Sequence, residues 1–298
     1  MRISHTFLAS SGLLALAACG GGGGAVGGFG GNASGVINGY APVYATAPDD
    51  IDPTDEMDES VEGGPGATGI MAVATSFDAS PEFASVKVRT NNDGSILYLS
   101  INGGSEVALD EIPGGAYGSN PPMSEPLVSY IGVFNSAWFQ YTKINGASFD
   151  SGDGVIGIET PTIRLPTGGP VNYTGDVTLF SYNDTLKRDD IVGVNGTFDM
   201  NVDFDTQSIT GTTGGDINIS VNGGGLNSYA ATGTVSGSTD GNGLIGSMTF
   251  DSAGGNASLT FAGKTYGWNA DEIGGALIGS ISGTGAGALP IYGHFDSD

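Results

Sequence analysis

Cys19 is the only cysteine in the chain, and it closes the run Leu16-Ala17-Ala18-Cys19-Gly20 directly behind a short apolar segment. A thiol in that setting is a lipid-attachment point. Arg2 and His5 make a weakly basic start, Phe7 to Leu16 an apolar middle, and small residues precede the cysteine, as a secretory signal requires. The apolar stretch is well short of the ~20 residues that a helix needs to cross a bilayer, and it runs straight into glycines. The expected outcome is removal of residues 1–18, with Cys19 as the lipid-bearing first residue and everything after it outside the cytoplasm. Gly20 stands where Gram-negative lipoproteins kept at the inner membrane tend to carry Asp, so likeness to that class implies transfer to the outer membrane.

The remaining chemistry is sparse, and no catalytic residue is assigned. With His5 inside the signal, His294 is the one histidine left, which counts against Ser-His-Asp, Cys-His and multi-histidine metal sites. Paired carboxylates can hydrolyse a glycosidic bond, but acidic side chains are so frequent here that pairs arise by chance. Asp150-Ser151-Gly152-Asp153-Gly154 and Asp240-Gly241-Asn242-Gly243 offer oxygen ligands for calcium; neither has the spacing or closing Glu of an EF-hand loop, and both read better as turns. Gly283, Gly285 and Gly287 do not follow a strand and open a helix, so they form no dinucleotide site. His294, or an exposed tyrosine, could ligate haem iron, but alternation puts His294 on the outer face of its strand, where a solvated histidine is the simpler reading. The expectation is therefore no metal and no bound cofactor, with haem and calcium as the weak exceptions. Tyr182, Asn183 and Asp184, with Lys187 and Arg188, form a polar hairpin loop; Tyr182, Asn183, Lys187 and Arg188 are the candidate ligand contacts, although hairpin tips are commonly polar for solubility alone.

The elements that must position these residues are strands. Glycine makes up 54 of 298 residues without a collagen-like period, so much of it belongs in turns and crowded strands. Once Cys19 is lipidated no thiol remains for a disulfide, and stability must come from burial. The formal charge of −24 becomes about −25 without Arg2. Such a surface disfavours nucleic acid and anionic lipid as partners and steers towards cationic ones.

Texture divides the chain. Residues 19–66 read as a tether, glycine-rich at first and then acidic from Asp49 to Glu62, too poor in apolar residues to fold and suited to holding a body off the membrane. Residues 67–165 read as short strands and turns, with strands at Ala84 to Val88, Ser95 to Ile101, Val128 to Tyr141 and Val155 to Ile158, and a Gly- and Pro-rich loop from Pro113 to Pro126. Prolines 161, 166 and 170 mark a boundary, since they cannot occupy a central strand. Beyond it the alternation is clean: Val194, Gly196, Phe198, Met200, Val202 and Phe204 share one face, and Asn195, Thr197, Asp199, Asn201 and Asp203 the other. The same parity recurs through Ile209, Tyr229, Leu244, Leu259, Ile273 and Ile291 and their neighbours. Counting Tyr173 to Tyr182 as the first, residues 166–298 hold about eight strands, enough for a small closed antiparallel barrel filled with side chains.

Three stretches then carry a family likeness. Leu165-Pro166-Thr167-Gly168 with Tyr173-Thr174-Gly175, the pair Gly196-Thr197-Phe198 to Asp203-Phe204 with Ile209-Thr210-Gly211, and Tyr266-Gly267-Trp268-Asn269-Ala270-Asp271-Glu272-Ile273-Gly274-Gly275 resemble the barrel found in each lobe of transferrin-binding protein B and related surface lipoproteins. The resemblance implies an all-β protein: a strand-rich handle domain followed by an eight-stranded antiparallel β-barrel. It also implies a non-enzymatic, lipid-anchored protein of the outer membrane, facing the cell surface or else the periplasm, that captures a protein or a haem- or iron-related ligand, with a TonB-dependent receptor as a further partner. The chain is long enough for one handle and barrel, where the family has two lobes, and the family's partner-binding loops are not among the matching residues. Transferrin itself is therefore not implied. A membrane-spanning small barrel and a passive surface lipoprotein are the alternatives.

Overall fold

A computed structural model describes residues 66–74, 80–90, 96–112, 116–118, 127–133, 136–145, 148–181, 191–220, 226–267, 269–283 and 288–297. Among them sixteen antiparallel strands form two closed rings of eight. The first ring runs in chain order through β1 (Gly66–Ala74), β2 (Glu82–Thr90), β3 (Ile96–Ile101), β4 (Val107–Ile112), β5 (Ala116–Gly118), β6 (Leu127–Val133), β7 (Ser136–Asn145) and β8 (Ser148–Gly157). It closes where β1 pairs with β8, from Thr68 opposite Gly157 to Ala74 opposite Ser151. Its thinnest join is β5 to β6, a single pair at Tyr117 and Val128.

Residues 158–170 cross to the second ring, with a 3-10 turn at Thr162–Arg164. That ring comprises β9 (Val171–Phe180), β10 (Ile191–Asp203), β11 (Ser208–Ser220), β12 (Asn227–Asp240), β13 (Gly243–Ser252), β14 (Asn256–Tyr266), β15 (Glu272–Ser282) and β16 (Leu289–Ser297). Pairing of β16 with β9 closes it. The expected eight strands and their parity are borne out: Val194, Phe198, Met200, Val202, Leu244, Met248 and Phe250 are buried inside, whereas Asn195, Thr197, Asp199 and Asn201 are exposed. An outer face of Thr, Asn and Asp is the reverse of the apolar band that a membrane-spanning barrel turns to lipid.

Glycines on the inner face make room for aromatic rings. A Cβ at Gly196 would stand 2.6 Å from the ring of Phe250, one at Gly246 2.6 Å from Phe261, and one at Gly263 2.7 Å from Phe295. Phe295 in turn meets Phe198 and Phe261 edge to face, with ring centroids 5.8 and 5.6 Å apart. A ring only eight strands round has space for these four phenylalanines because facing positions carry no side chain.

The first ring departs from the sequence reading in detail. The stretch expected as one strand, Val128 to Tyr141, is two, β6 and β7. The strand expected at Val155 to Ile158 is the end of the longer β8, and β1, β4 and β5 had no counterpart. β1 escapes alternation analysis because both of its faces are covered: Ala67 and Met71 point into the first core, and Ala72 and Ala74 pack on the second barrel. Asp150 to Gly154, read as a turn, lies within β8.

The two rings stand side by side, β1 and β8 against β14, β15 and β16. Tyr292 and Ile278 of the second ring pack with Ala72, Ala74 and Phe83 of the first, and Phe180 meets Tyr292 edge to face at 4.6 Å. β1 begins at Gly66 beside Arg89, at the end of the body where β8 runs out into the connection and where the turns 203–208 and 240–243 lie. The chain between Phe180 and Ile191, between Ser220 and Asn227, and between Ser282 and Leu289 joins strands at the opposite end.

Candidate functional site

The lipid-attachment residue and every candidate ligand contact fall outside the described part of the chain: Cys19 precedes it, and Tyr182, Asn183, Lys187 and Arg188 lie between the end of β9 and the start of β10. The strand topology nevertheless fixes where that segment is tethered. Phe180 and Ile191 stand at the end of the second barrel away from Gly66, as do Ser252 to Asn256, where Ser252 Oγ accepts from the backbone N–H groups of Gly254 and Gly255 at 3.1 and 3.2 Å. Leu226, more than half exposed, precedes β12 at the same end.

The best-defined polar cluster among the described residues is instead at the seam between the barrels. Its first part is built by the hairpin that carries the segment Tyr266 to Gly275. Tyr266 is wholly buried and donates its hydroxyl to the Val155 carbonyl of the first barrel at 3.2 Å. Gly267 N–H donates to the Ile158 carbonyl at 2.9 Å, while Thr160 donates its hydroxyl back to the Gly267 carbonyl at 2.7 Å. Glu272 accepts from the Ser136 hydroxyl at 2.6 Å, and a Cβ at Gly274 would collide with Val155 Cγ1 at 2.8 Å. Ala270, in the left-handed conformation at φ 57°, gives its carbonyl to the Tyr173 hydroxyl at 2.6 Å. The motif that carried the family likeness is thus a clasp on the preceding ring.

Glu159, in the connection, joins the same seam. It receives hydrogen bonds from Thr68, from Asn242 Nδ2 at 3.0 Å and from Lys264 Nζ at 2.6 Å. Burial pushes its carboxyl up most strongly of any single influence, but Lys264, Thr68 and Asn242 together outweigh it and hold the group below its ordinary value. A depressed carboxyl contributes stability that is present above the unfolded value and is lost as pH falls through the folded one. Glu159→Gln should remove on the order of 1–2 kcal/mol at neutral pH and little in acid, so the gap between the two unfolding curves should narrow as the pH is lowered below 4.5. A gap of constant width down to pH 3 would assign the loss to packing. Asn242 belongs to the 240–243 turn, so that segment serves the seam and is a turn, as expected.

His294 is where the structure overturns the sequence reading most clearly. Its side chain does leave the outer face of β16, but the first barrel covers it and the residue is only 6% exposed. Nδ1 meets Asp153 Oδ1 of β8, and the other oxygen of Asp153 accepts from Trp138 Nε1 at 3.0 Å. The rings of Trp138 and His294 lie 5.3 Å apart. A carboxylate on Nδ1 orients an imidazole as in a catalytic triad, yet Nε2 faces Asp296 Oδ1 at 3.7 Å, where a nucleophilic hydroxyl would be needed. No group of three or more His, Cys, Asp or Glu poised to hold a metal occurs among the described residues. Alternation reported the side of the sheet correctly; it carried no signal of what lies against that side.

Residues 165–293 match the family model for the C-lobe and N-lobe β-barrels of transferrin-binding protein B. Solved structures similar to the chain include a transferrin-binding protein B from Haemophilus parasuis, 18% identical over 77% of this chain and 45% of that one, with a TM-score of 0.41. Another is the isotype 1 protein from serogroup B Neisseria meningitidis, 16% identical over 77% of this chain and 43% of that one, with a TM-score of 0.41. The chain therefore spans less than half the length of these proteins. No curated protein matches it.

Proposed function

We propose, from the premise that residues 165–293 form a barrel of the transferrin-binding protein B lobe family, that the chain is a lipid-anchored binding protein of the outer membrane, facing the cell surface. It captures a protein or a haem- or iron-related ligand and performs no catalysis. The ligand meets the end of the body carrying Tyr182, Asn183, Lys187 and Arg188, and a TonB-dependent receptor is the natural recipient. The observation that carries this reading is topological: the chain from Cys19 enters at Gly66, and the segment with those four residues is strung between Phe180 and Ile191 at the opposite end. A body held by Cys19 then presents that end outward.

Lys187 and Arg188 are two of only eight basic residues in a chain of net charge −24. The acidic body steers cationic partners and opposes acidic ones, except where this pair meets the ligand. Immobilised full-length protein should be tested against transferrin, a haem protein and free haem at low and high salt. Binding of one of them that is lost in Lys187→Glu/Arg188→Glu and changes with ionic strength is the expected result. Retention unaltered by the double substitution would remove the loop from the site, and affinity indifferent to salt would show that shape and apolar contact select the partner.

A further inference from the structure

The seam also holds an ionisable cluster for which ligand capture has no use. We propose that His294 is a proton-operated latch between the two barrels: its imidazolium, set among Asp153 of the first barrel and Asp296 and Asp176 of the second, keeps them docked, and loss of its proton loosens the seam.

The geometry is that of a charge shared across an interface. The Nδ1 bond joins β16 to β8 over 141 residues of sequence, and Asp153 has no exposed surface at all. Nε2 lies 3.7 Å from Asp296, too far for a hydrogen bond but within reach of an attraction of opposite charges that solvent partly screens, the Asp296 side chain being 39% exposed. Asp176 of β9 stands opposite Asp296 in the strand register. The positions beside this cluster on the other packed strands carry no titratable group: Ala276 of β15 opposite His294, Thr178 of β9 opposite it on the other side, and Ala72 of β1 and Gln140 of β7 opposite Asp153. Three carboxylates therefore face one imidazole. A neutral ring can still donate from Nδ1 to Asp153, but it withdraws the positive charge that His294 sets against that wholly buried carboxylate across the seam.

Burial is the largest single influence on His294 and favours the neutral ring, yet the charge and hydrogen bond of Asp153, with Asp296 and Asp176, outweigh it and raise the pKa above 6.5. Docking stabilisation is then complete below the unfolded value and is lost as pH rises through the raised, folded one. The composition isolates this effect. His5 and His294 are the only histidines and Cys19 is the only cysteine, so from residue 20 onward His294 is the one side chain whose ordinary pKa lies near the interval from pH 6 to 9.

Trp138 is a reporter already in place. In full-length protein carrying Trp268→Phe, Trp138 emission and the urea unfolding midpoint should both change between pH 6 and 9, with the unfolding midpoint lower at pH 9. Each unit by which the folded pKa exceeds the free one is a tenfold change in the ratio of docked to loosened molecules. His294→Gln keeps an amide donor for Asp153 without a titrating proton and should abolish the difference. Asp153→Asn should move the transition to lower pH. Flat emission and an unchanged urea midpoint in the parent protein, or the same pH difference persisting in His294→Gln, would overturn the latch. Where His294→Gln does not fold, the titration of the parent protein decides alone, and a transition at or below 6.5 tells against it.

Discussion

Replacing Phe250 by alanine should lower the stability of the second barrel by ~3–5 kcal/mol, a large share of what a domain of this size possesses. Phe250 has no exposed surface, and its ring lies over Gly196, whose missing side chain makes the space it fills. Truncation would open a void in a wall of β-strands hydrogen-bonded on both sides, so the surroundings can close only partly around it. Asn201→Ala on the outer face of β10 should be nearly silent, since Asn201 is exposed and makes one long side-chain hydrogen bond, 3.4 Å to Asn172. Chemical denaturation of both variants measures the contrast. Equal destabilisation of the two would mean that the inside and outside of the barrel have been exchanged. Gly196→Ala probes the same pairing from the other side, because its methyl would have to displace the Phe250 ring and approach the Gly214 carbonyl at 2.7 Å.

That contrast could be written from the sequence because β10 to β14 have one wet face and one dry one. Their alternation is a direct imprint of burial. The method fails where both faces are dry. Ser151 to Gly157 of β8 and Glu272 to Leu277 of β15 are buried without interruption, because each strand has a barrel interior on one side and the neighbouring barrel on the other. β1 escapes alternation for the same reason, and His294 reads as solvated although it is buried, since an outward position on β16 means solvent only where nothing packs against it. Sequence offered one faint warning of the seam. The segment Tyr266 to Gly275 places a large aromatic, a carboxylate and two adjacent glycines at one hairpin, more than a surface turn requires, and Tyr266, Glu272 and Gly274 all meet the first ring, while Gly275 lets β14 approach within the second. The candidate ligand contacts are of another kind: Lys187 and Arg188 stand out because basic residues are rare, a signal of composition that carries no geometry.

Cys19→Ala should convert a membrane-bound protein into a soluble extracytoplasmic one, the largest change that any single substitution in this chain is expected to make. Nothing on the described outer face of the second barrel offers a membrane an apolar band, and an acidic chain of net charge −24 is repelled by anionic lipid. Attachment then depends on acyl chains, each buried methylene of which contributes ~0.8 kcal/mol, so that one chain binds marginally and stable anchoring needs more than one signal. With Cys19 gone those acyl chains are lost, and the change should be close to all-or-none. If residues 19–65 behave as the coil that their composition predicts, their root-mean-square reach is about 35–40 Å, enough to let the end carrying the 182–190 segment face away from the bilayer. Fractionation of wild type and variant, with metabolic labelling by a palmitate analogue, measures both halves of the claim. Label incorporated equally into Cys19→Ala would place the lipid elsewhere, and an unlabelled variant still sedimenting with membranes would mean that the folded body itself, directly or through a partner, holds the protein at the envelope.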